Sequence, residues 1–219
     1  MIETRAIRFG GQDTPEGFQF ELSGGALALD FANTLDERPR GGLERIADYP
    51  VLVLWSVQSG LLTEGERATL LAAAQQEPAA AAAVHGEALA LRELIFATVK
   101  ATIASDGLSD EQVLCWNDWL KRVQASRRLS WGGRGLAWQQ ADIDAALDGI
   151  LLHVADAAIQ LFLDPDARSR LRLCASDDCD WAFLDRSRRQ NRVWCDMTVC
   201  GNRAKAARHY RRKVGISES

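Results

Sequence analysis

Four of the five cysteines in this 219-residue chain lie between positions 174 and 200, and their spacing constrains the fold more than any other feature. They form two C-x4-C pairs, Cys174 with Cys179 and Cys195 with Cys200, and fifteen residues separate the pairs. A structural zinc site needs four soft ligands in a closed tetrahedron, and two closely spaced thiolate pairs supply them with one loop each. The pattern therefore predicts that the four cysteines bind one Zn²⁺ per chain, although the spacing is wider than the common C-x2-C.

The cellular compartment bears on the choice between zinc and disulfides. The first 20 residues lack the basic and continuous apolar segments of a signal peptide, and the sequence has no apolar run long enough to cross a membrane. We therefore expect a cytoplasmic protein, in which thiols stay reduced and metal binding is favoured. Two disulfides, free thiols in a core and a redox switch that releases zinc stay open as alternatives. Cys115 stands apart from the cluster and is predicted to be a small buried side chain.

Charge is distributed unevenly along the chain. Residues 1–170 contain 15 basic and 24 acidic side chains, a balance of −9, whereas residues 171–219 contain 11 and 6, a balance of +5. The segment 186–213 alone has ten basic residues and one acidic residue, Asp196. A basic segment on a chain with a net charge of −4 indicates a separate electrostatic unit that suits a polyanionic partner.

The cysteine-rich tail has the sequence pattern of a small α+β zinc module. The stretch RLRLC predicts a short strand before the first cysteine pair, and DWAFLDRS and RVWCDM are able to pair as a hairpin. A helix is predicted to begin at Cys200, in CGNRAKAARHYRRK. A knuckle, a hairpin and a helix that starts at the last ligand make up a treble clef, so residues 169–219 are predicted to form a treble-clef-like finger. A module of this size needs a metal because its core is too small to hold the fold alone.

Residues 1–168 have the pattern of a multihelical domain, which makes the predicted fold class mainly α. Helical spacing of apolar residues and two capping boxes predict helices over 26–37, 43–62 with an interruption at Pro50, 63–74, 79–104, 109–124 and 141–163. The period changes in RRLSWGGRGLAWQQ, which predicts a small β-hairpin. Two short strands, RAIRF and FQFEL, are predicted near the start of the chain, and the junction with the finger is expected in DPDARSR.

Two stretches of the sequence resemble known families. The CGNR sequence at Cys200–Arg203, with the upstream cysteine pair, resembles the CGNR zinc-finger family. The stretches LALDFANTLDERPR and LVLWSVQSGLLTEGE resemble the ABATE domain that accompanies this finger in stress-induced bacterial transcription regulators. Together the resemblances cover nearly the whole chain. They imply that the four clustered cysteines are the zinc ligands and that the protein regulates transcription in a stress response.

The helix after Cys200 is the predicted DNA-contacting element. At 100° per residue, Ala207, Tyr210 and Val214 line one side and are expected to pack on the hairpin. The opposite side is basic and suits phosphates or the major groove, and the hairpin loop adds further arginines. A solvated loop, or a loop that docks on the acidic helical domain, is the alternative. The predicted DNA contacts are Arg186, Arg188, Arg189, Arg192, Lys205, Arg208, His209 and Arg212.

Three residues that follow the last cysteine are predicted to be structural. Gly201 and Asn202 suit the tight turn that lets Cys200 open the helix. Arg203 projects on the apolar side of that helix, so we expect it to hydrogen-bond carbonyl groups around the zinc knuckle rather than to read bases.

The first predicted helix carries candidates for a ligand site. Asp30 and Asn33 share a polar face close to Arg38, and the three side chains are candidates to line a pocket for a small polar effector. A solvated face, or a salt bridge with a neighbouring helix, is the alternative interpretation.

Two classes of function remain after these patterns are considered. The sequence lacks the common catalytic motifs, and zinc held by four thiolates has no open position for a substrate, so we expect no enzyme. The first hypothesis is a transcription regulator in which a helical sensing or dimerisation domain is coupled to a zinc-dependent DNA-binding tail. A homodimer with two tails would be needed to read a specific site. The alternative is a zinc-stapled module that binds an acidic protein or RNA.

Overall fold

Buried apolar side chains at helical spacing build the core of this chain. The computed structural model describes residues 10–15, 17–133 and 135–213, and its longest helix buries Leu91, Ile95 and Val99 completely. The helices are α1 (Leu27–Ala32), α2 (Tyr49–Gln58), α3 (Glu64–Gln76), α4 (Pro78–Ala104), α5 (Asp110–Ala125), α6 (Gly149–Leu163), α7 (Pro165–Ser169) and α8 (Asn202–Lys213). The strands are β1 (Gly11–Thr14), β2 (Gly17–Phe20), β3 (Leu35–Asp36), β4 (Leu43–Glu44), β5 (Arg127–Gly132), β6 (Gly135–Gln140), β7 (Leu171–Leu173) and β8 (Ala182–Leu184).

The short helix α1 lies between the long helices α4 and α6, and it contributes to the centre of the core. Phe31 of α1 is fully buried and contacts the fully buried Trp55 of α2, with 5.1 Å between the ring centroids. Helix α3 packs on α2 and α4, and α5 packs on α6. The prediction of a mainly α fold with small antiparallel hairpins and a cysteine-rich finger is therefore confirmed.

The helix starts follow the capping chemistry of the sequence. The Thr63 side chain accepts from the Glu66 N–H and the Glu66 carboxylate accepts from the Thr63 N–H, as the predicted capping box requires. Ser109 and Gln112 make the same reciprocal pair at α5. Pro50 marks the first turn of α2, where its missing N–H costs nothing, so it starts this helix instead of interrupting one.

Besides α2, which spans only part of the predicted range 43–62, the first and the last predicted helices are shorter in the structure. The first ends at Ala32 because the buried residues Asn33 and Thr34 form a turn, after which Leu35–Asp36 pairs with Leu43–Glu44 as β3 and β4. The last starts only at Gly149, since residues 141–148 fold back over its first turn. A Cβ at Gly149 would lie 1.9 Å from the Ile143 carbonyl oxygen, so this close approach requires glycine.

Hairpins account for the strands of the N-terminal part. The predicted hairpin over 127–140 is confirmed as the antiparallel pair β5 and β6, with Leu129 opposite Trp138. Near the start of the chain β1 pairs with β2, which covers part of the predicted FQFEL strand. The predicted RAIRF strand lies outside the residues that the structure describes.

The strand pairing inside the tail differs from the prediction. DWAFL forms β8, but it pairs with β7 rather than with RVWCDM, and Leu171 lies opposite Leu184. The cysteine knuckle joins β7 directly to β8, so these two strands pair. After β8, the Asp185 carboxylate accepts from the N–H groups of Ser187 and Arg192, and the chain bends away from the hairpin.

The tail hairpin shares its core with the helices. Leu171, Ala182 and Leu184 are buried in the same hydrophobic cluster as α1 and α4, while the cysteines form a second cluster with Trp181 and Phe183. The boundary between residues 168 and 169 stays a prediction, and apolar contacts cross it. Among the described residues no helix is long and apolar enough to span a membrane.

Candidate metal centre

The four clustered cysteines converge on one buried point. Their sulfur atoms all lie within 4.8 Å of one another, and Cys195 Sγ lies 3.6 Å from both Cys179 Sγ and Cys200 Sγ. A tetrahedron with Zn–S bonds of about 2.3 Å has edges of roughly 3.8 Å, so these separations match a single zinc ion. They are far longer than the S–S bond of about 2.05 Å in a disulfide, and all five cysteines are free thiols.

The protonation chemistry of the cluster also favours a cation. Hydrogen bonding with the Cys174 sulfur, together with burial, raises the pKa of the Cys179 and Cys195 thiols above the ordinary range. Without a cation, the loss of a proton from more than one of the four buried thiols is therefore unfavourable. A divalent cation stabilises all four thiolates. The residues fit Zn²⁺, one ion per chain, with Cys174, Cys179, Cys195 and Cys200 as ligands.

Backbone hydrogen bonds position the first cysteine pair. Cys174 directly follows β7 and donates its N–H to the Trp181 carbonyl oxygen at 2.8 Å. Cys179 donates its N–H to the Ser176 carbonyl oxygen at 3.0 Å, which closes the knuckle between the two strands. The ladder between β7 and β8 thus holds the two thiols at the same end of the hairpin.

The second pair is held by a π-helical turn over Met197–Gly201, and α8 follows it directly. The Asp196 carboxylate accepts from the Thr198 hydroxyl and from the N–H groups of Thr198 and Val199, and these bonds lower its pKa. A Cβ at Gly201 would lie 2.6 Å from the Met197 sulfur, so a larger residue here would displace the Met197 side chain. The last ligand, Cys200, therefore fixes the start of α8.

The residues predicted to be structural lie beside this turn. The Asn202 side chain donates to the Thr198 carbonyl oxygen at 2.9 Å. Arg203 donates to the Asp178 carboxylate at 3.0 Å, and Arg40 lies 3.1 Å from the same oxygen. Asp178 therefore links the knuckle to α8 and to the helical part. Sequence reasoning missed Asp178, and the acidic pair that precedes Cys179 in SDDC was its only signal.

A second contact between the finger and the helical part is buried. The Asn33 amide donates to the Ala182 carbonyl oxygen and accepts from the Ala182 N–H, each at 2.9 Å. The Trp181 indole donates to Asp36 at 3.1 Å, and Arg45 lies 2.9 Å from the same carboxylate. Asp36 is fully buried, and burial raises its pKa despite these partners. The finger is thus joined to α1 and to the loop after it by paired buried polar groups.

The predicted DNA contacts fall into three groups in the structure. Two arginines have partners within the chain: Arg186 donates to the Gly25 carbonyl oxygen, and Arg192 donates to the Trp194 carbonyl oxygen and lies over the Phe183 ring. Arg188, Arg189 and Lys205 are exposed. The side chains of Arg208, His209 and Arg212 lie outside the described part of the structure, although these residues belong to α8.

Two predictions about burial are wrong. Tyr210 was expected to pack on the hairpin, but 64% of its surface is exposed, since the hairpin faces α1 and α4 instead of α8. Ala207 and Val214 lie outside the residues whose side chains the structure describes. Cys115 was expected to be buried, yet it is exposed, because α5 turns Trp119 and Val123 to the core.

The candidate ligand-binding residues all have partners inside the protein. The Asp30 carboxylate accepts from the Gly24 N–H at 2.7 Å, and Asn33 binds Ala182. Arg38 forms a bidentate ion pair with Glu93. Burial raises the pKa of Asp30 to about 6, with a smaller contribution from Glu21. These contacts hold α1 in place, and an effector at these residues stays a prediction.

Comparison with known families agrees with this geometry. Residues 25–165 match the family model ABATE, described as "Putative stress-induced transcription regulator", and residues 170–213 match the model of the CGNR zinc finger. The first match alone covers well over half of the chain. A search among curated proteins gives no match.

Thiol reactivity provides a test of the metal centre. With zinc bound, we expect an aromatic disulfide reagent to react rapidly with one thiol per chain, the exposed Cys115, and with all five after chelation. The absorbance of the released thiolate measures the count. The variant Cys115→Ser is the control, with no rapid thiol before chelation and four after it. Rapid reaction of all five thiols in the untreated protein would contradict the metal assignment.

The Asn33 contact is expected to stabilise the whole chain. In Asn33→Ala the buried N–H and carbonyl group of Ala182 lose their partners, so the free energy of unfolding is expected to fall by about 2–4 kcal/mol. Urea denaturation of the zinc-loaded protein measures this change. Asn117→Ala, on the exposed side of α5, is the matched control and should change stability by less than about 0.5 kcal/mol. Equal stabilities of the two variants would refute the role of Asn33.

The raised pKa of Asp30 predicts a pH dependence of stability. The folded chain binds the Asp30 proton more tightly than the unfolded chain, so the stability linked to protonated Asp30 is lost as the pH rises from about 4 to about 6. The stability of Asp30→Asn relative to the parent should therefore increase across this window in urea denaturation. Asp118→Asn, at an exposed site on α5, is the control for the loss of one carboxylate. An equal pH dependence of the two variants would disprove the assignment.

Proposed function

The chain belongs to the ABATE family, and on that premise we propose that it is a transcription regulator whose zinc-stapled tail contacts DNA. The observation that carries the proposal is the position of Cys200, which is a zinc ligand and also lies in the turn that opens α8. The metal thereby fixes the start of a helix with six basic residues, which are Arg203, Lys205, Arg208, Arg211, Arg212 and Lys213.

The exposed charges of the tail support DNA as the partner. Arg188 and Arg189 lie at the tip of the loop between the two cysteine pairs, and Lys205 is exposed on the first turns of α8. With 12 residues, α8 is about 18 Å long, which suits the major groove of B-DNA. Because Arg186 and Arg192 bind carbonyl groups within the chain, the proposed contact surface consists of the loop tip and α8.

The docking of the finger supports a coupling between the two parts. Because Asn33, Asp36 and Arg40 hold the knuckle, a change in the loop after α1 moves the zinc centre and α8 together.

A groove of about 600 Å³ between α2, α3 and α4 has the size of a ligand pocket. Mostly apolar side chains line it, with His85 at one side, and we propose it as the place where an effector acts on the helical part.

The proposed role is not enzymatic. Four thiolates complete the coordination of Zn²⁺, so no position is left for a substrate or an activated water. The ion supplies stability and a defined start for α8, while the side chains of the loop and the helix supply the contacts.

A salt titration tests the DNA contact. The triple variant Arg188→Ala/Arg189→Ala/Lys205→Ala is expected to bind mixed-sequence duplex DNA about tenfold more weakly, with a salt slope reduced by up to about 3, because three phosphate contacts are lost. Fluorescence anisotropy of labelled DNA measures both quantities. A charge-matched triple on the helical part, Arg67→Ala/Lys100→Ala/Lys121→Ala, should leave the slope unchanged.

Two outcomes of this titration would overturn the proposal. If both triple variants weaken binding equally, net charge alone attracts DNA and the tail is no specific contact surface. If the parent protein does not bind DNA, or binds an RNA duplex or an acidic peptide more tightly, the finger is an interaction module instead.

A further inference from the structure

The β5–β6 hairpin presents an apolar face to solvent. Leu129 and Trp131 on β5 are 57% and 80% exposed, and Leu136 and Trp138 on β6 are 66% and 67% exposed. The register places Leu129 opposite Trp138 and Trp131 opposite Leu136. Directly opposed residues, and residues two apart on a strand, point to the same face, so all four side chains share one side of the hairpin.

The base of this hairpin is fixed to the helical part. Arg127 forms an ion pair with Asp156 of α6 at 2.6 Å, and the Ala141 N–H donates to the Ser126 carbonyl oxygen at 2.8 Å. Beyond the base, the apolar face has no cover from the described residues. Monomeric proteins rarely expose a contiguous apolar patch that contains two tryptophans, and such patches mark interaction sites. We call the four side chains the Trp–Leu face.

The arrangement of large and small side chains identifies the partner. On each strand one tryptophan and one leucine alternate, and across the strands each tryptophan lies beside a leucine, so the tryptophans occupy opposite corners of a square. A second hairpin that is related by a two-fold axis in the plane of the face, running along or across the strands, puts a tryptophan against a leucine at every corner. A large side chain therefore meets a smaller one at each contact, as close packing of two identical surfaces requires.

We propose that the Trp–Leu face binds the same face of a second copy of this chain and forms a two-fold symmetric dimer. The exposed parts of the four side chains amount to on the order of 500 Å² per copy. Two copies would bury roughly 1,000 Å², which reaches the lower limit for a biological interface. The dimer is a separate inference from the proposed DNA contact. It brings two basic tails together in one particle, which is what binding to two half-sites requires.

Sedimentation equilibrium of the 219-residue, zinc-loaded chain without DNA tests this proposal. We expect a dimer for the parent and at least tenfold weaker dimerisation for Trp131→Ser/Trp138→Ser. The control Leu114→Ser/Leu163→Ser removes two other exposed apolar side chains, which are 64% and 67% exposed, and should leave the dimer intact. Circular dichroism and zinc content verify that both variants are folded. A monomeric parent, or an equal effect of both double variants, would overturn the proposal.

A second variant tests the packing of large against small. Leu129→Trp/Leu136→Trp enlarges the apolar area but puts tryptophan against tryptophan at every corner, so we expect weaker dimerisation. Stronger association would show that the face is a non-specific hydrophobic patch and would overturn the two-fold packing. Since none of these measurements contains DNA, failure of the dimer and failure of the proposed DNA contact are separate results.

Discussion

The convergence of four cysteine sulfurs on one buried point is the interaction on which the rest of the tail depends. The sulfurs lie within 4.8 Å of one another, and four thiolates at that distance repel unless a divalent cation compensates them. Zn²⁺ therefore joins the β7–β8 knuckle to the turn that opens α8, next to the ion pair between Asp178 and Arg203. A segment as polar as α8 has no apolar core of its own, so its direction follows from the metal at Cys200.

The finger is in turn held by the helical part through buried polar pairs. Asn33 satisfies both backbone groups of Ala182, and Asp36 accepts from the Trp181 indole. Buried polar groups are costly when they lose a partner, so these contacts favour one relative position of the two parts. The proposed regulator needs such a link, because a change in the helical part has to reach the proposed DNA-contacting surface.

Features encoded within a few residues were predictable from the sequence. The cysteine spacing, the capping boxes at Thr63 and Ser109 and the Gly-Gly hairpin after α5 are local, and the structure contains all of them. Features that depend on distant partners were not predictable. Helix α1 ends early, and Asn33 beyond its end pairs with Ala182, which is 149 positions away. The exposure of Tyr210 and the pairing of β8 with β7 likewise depend on where the tail docks, which no local pattern records.

The role of zinc in organising the proposed DNA-contacting tail can be measured on one sample, as its DNA affinity before chelation, after chelation and after return of one equivalent of Zn²⁺. Zinc with four thiolates carries a charge of about −2, whereas four protonated thiols carry none, so charge alone predicts tighter binding by the metal-free tail. If the metal organises the tail, we expect the reverse, with affinity lost on chelation and recovered with the metal. Undiminished or tighter binding by the metal-free protein would contradict it.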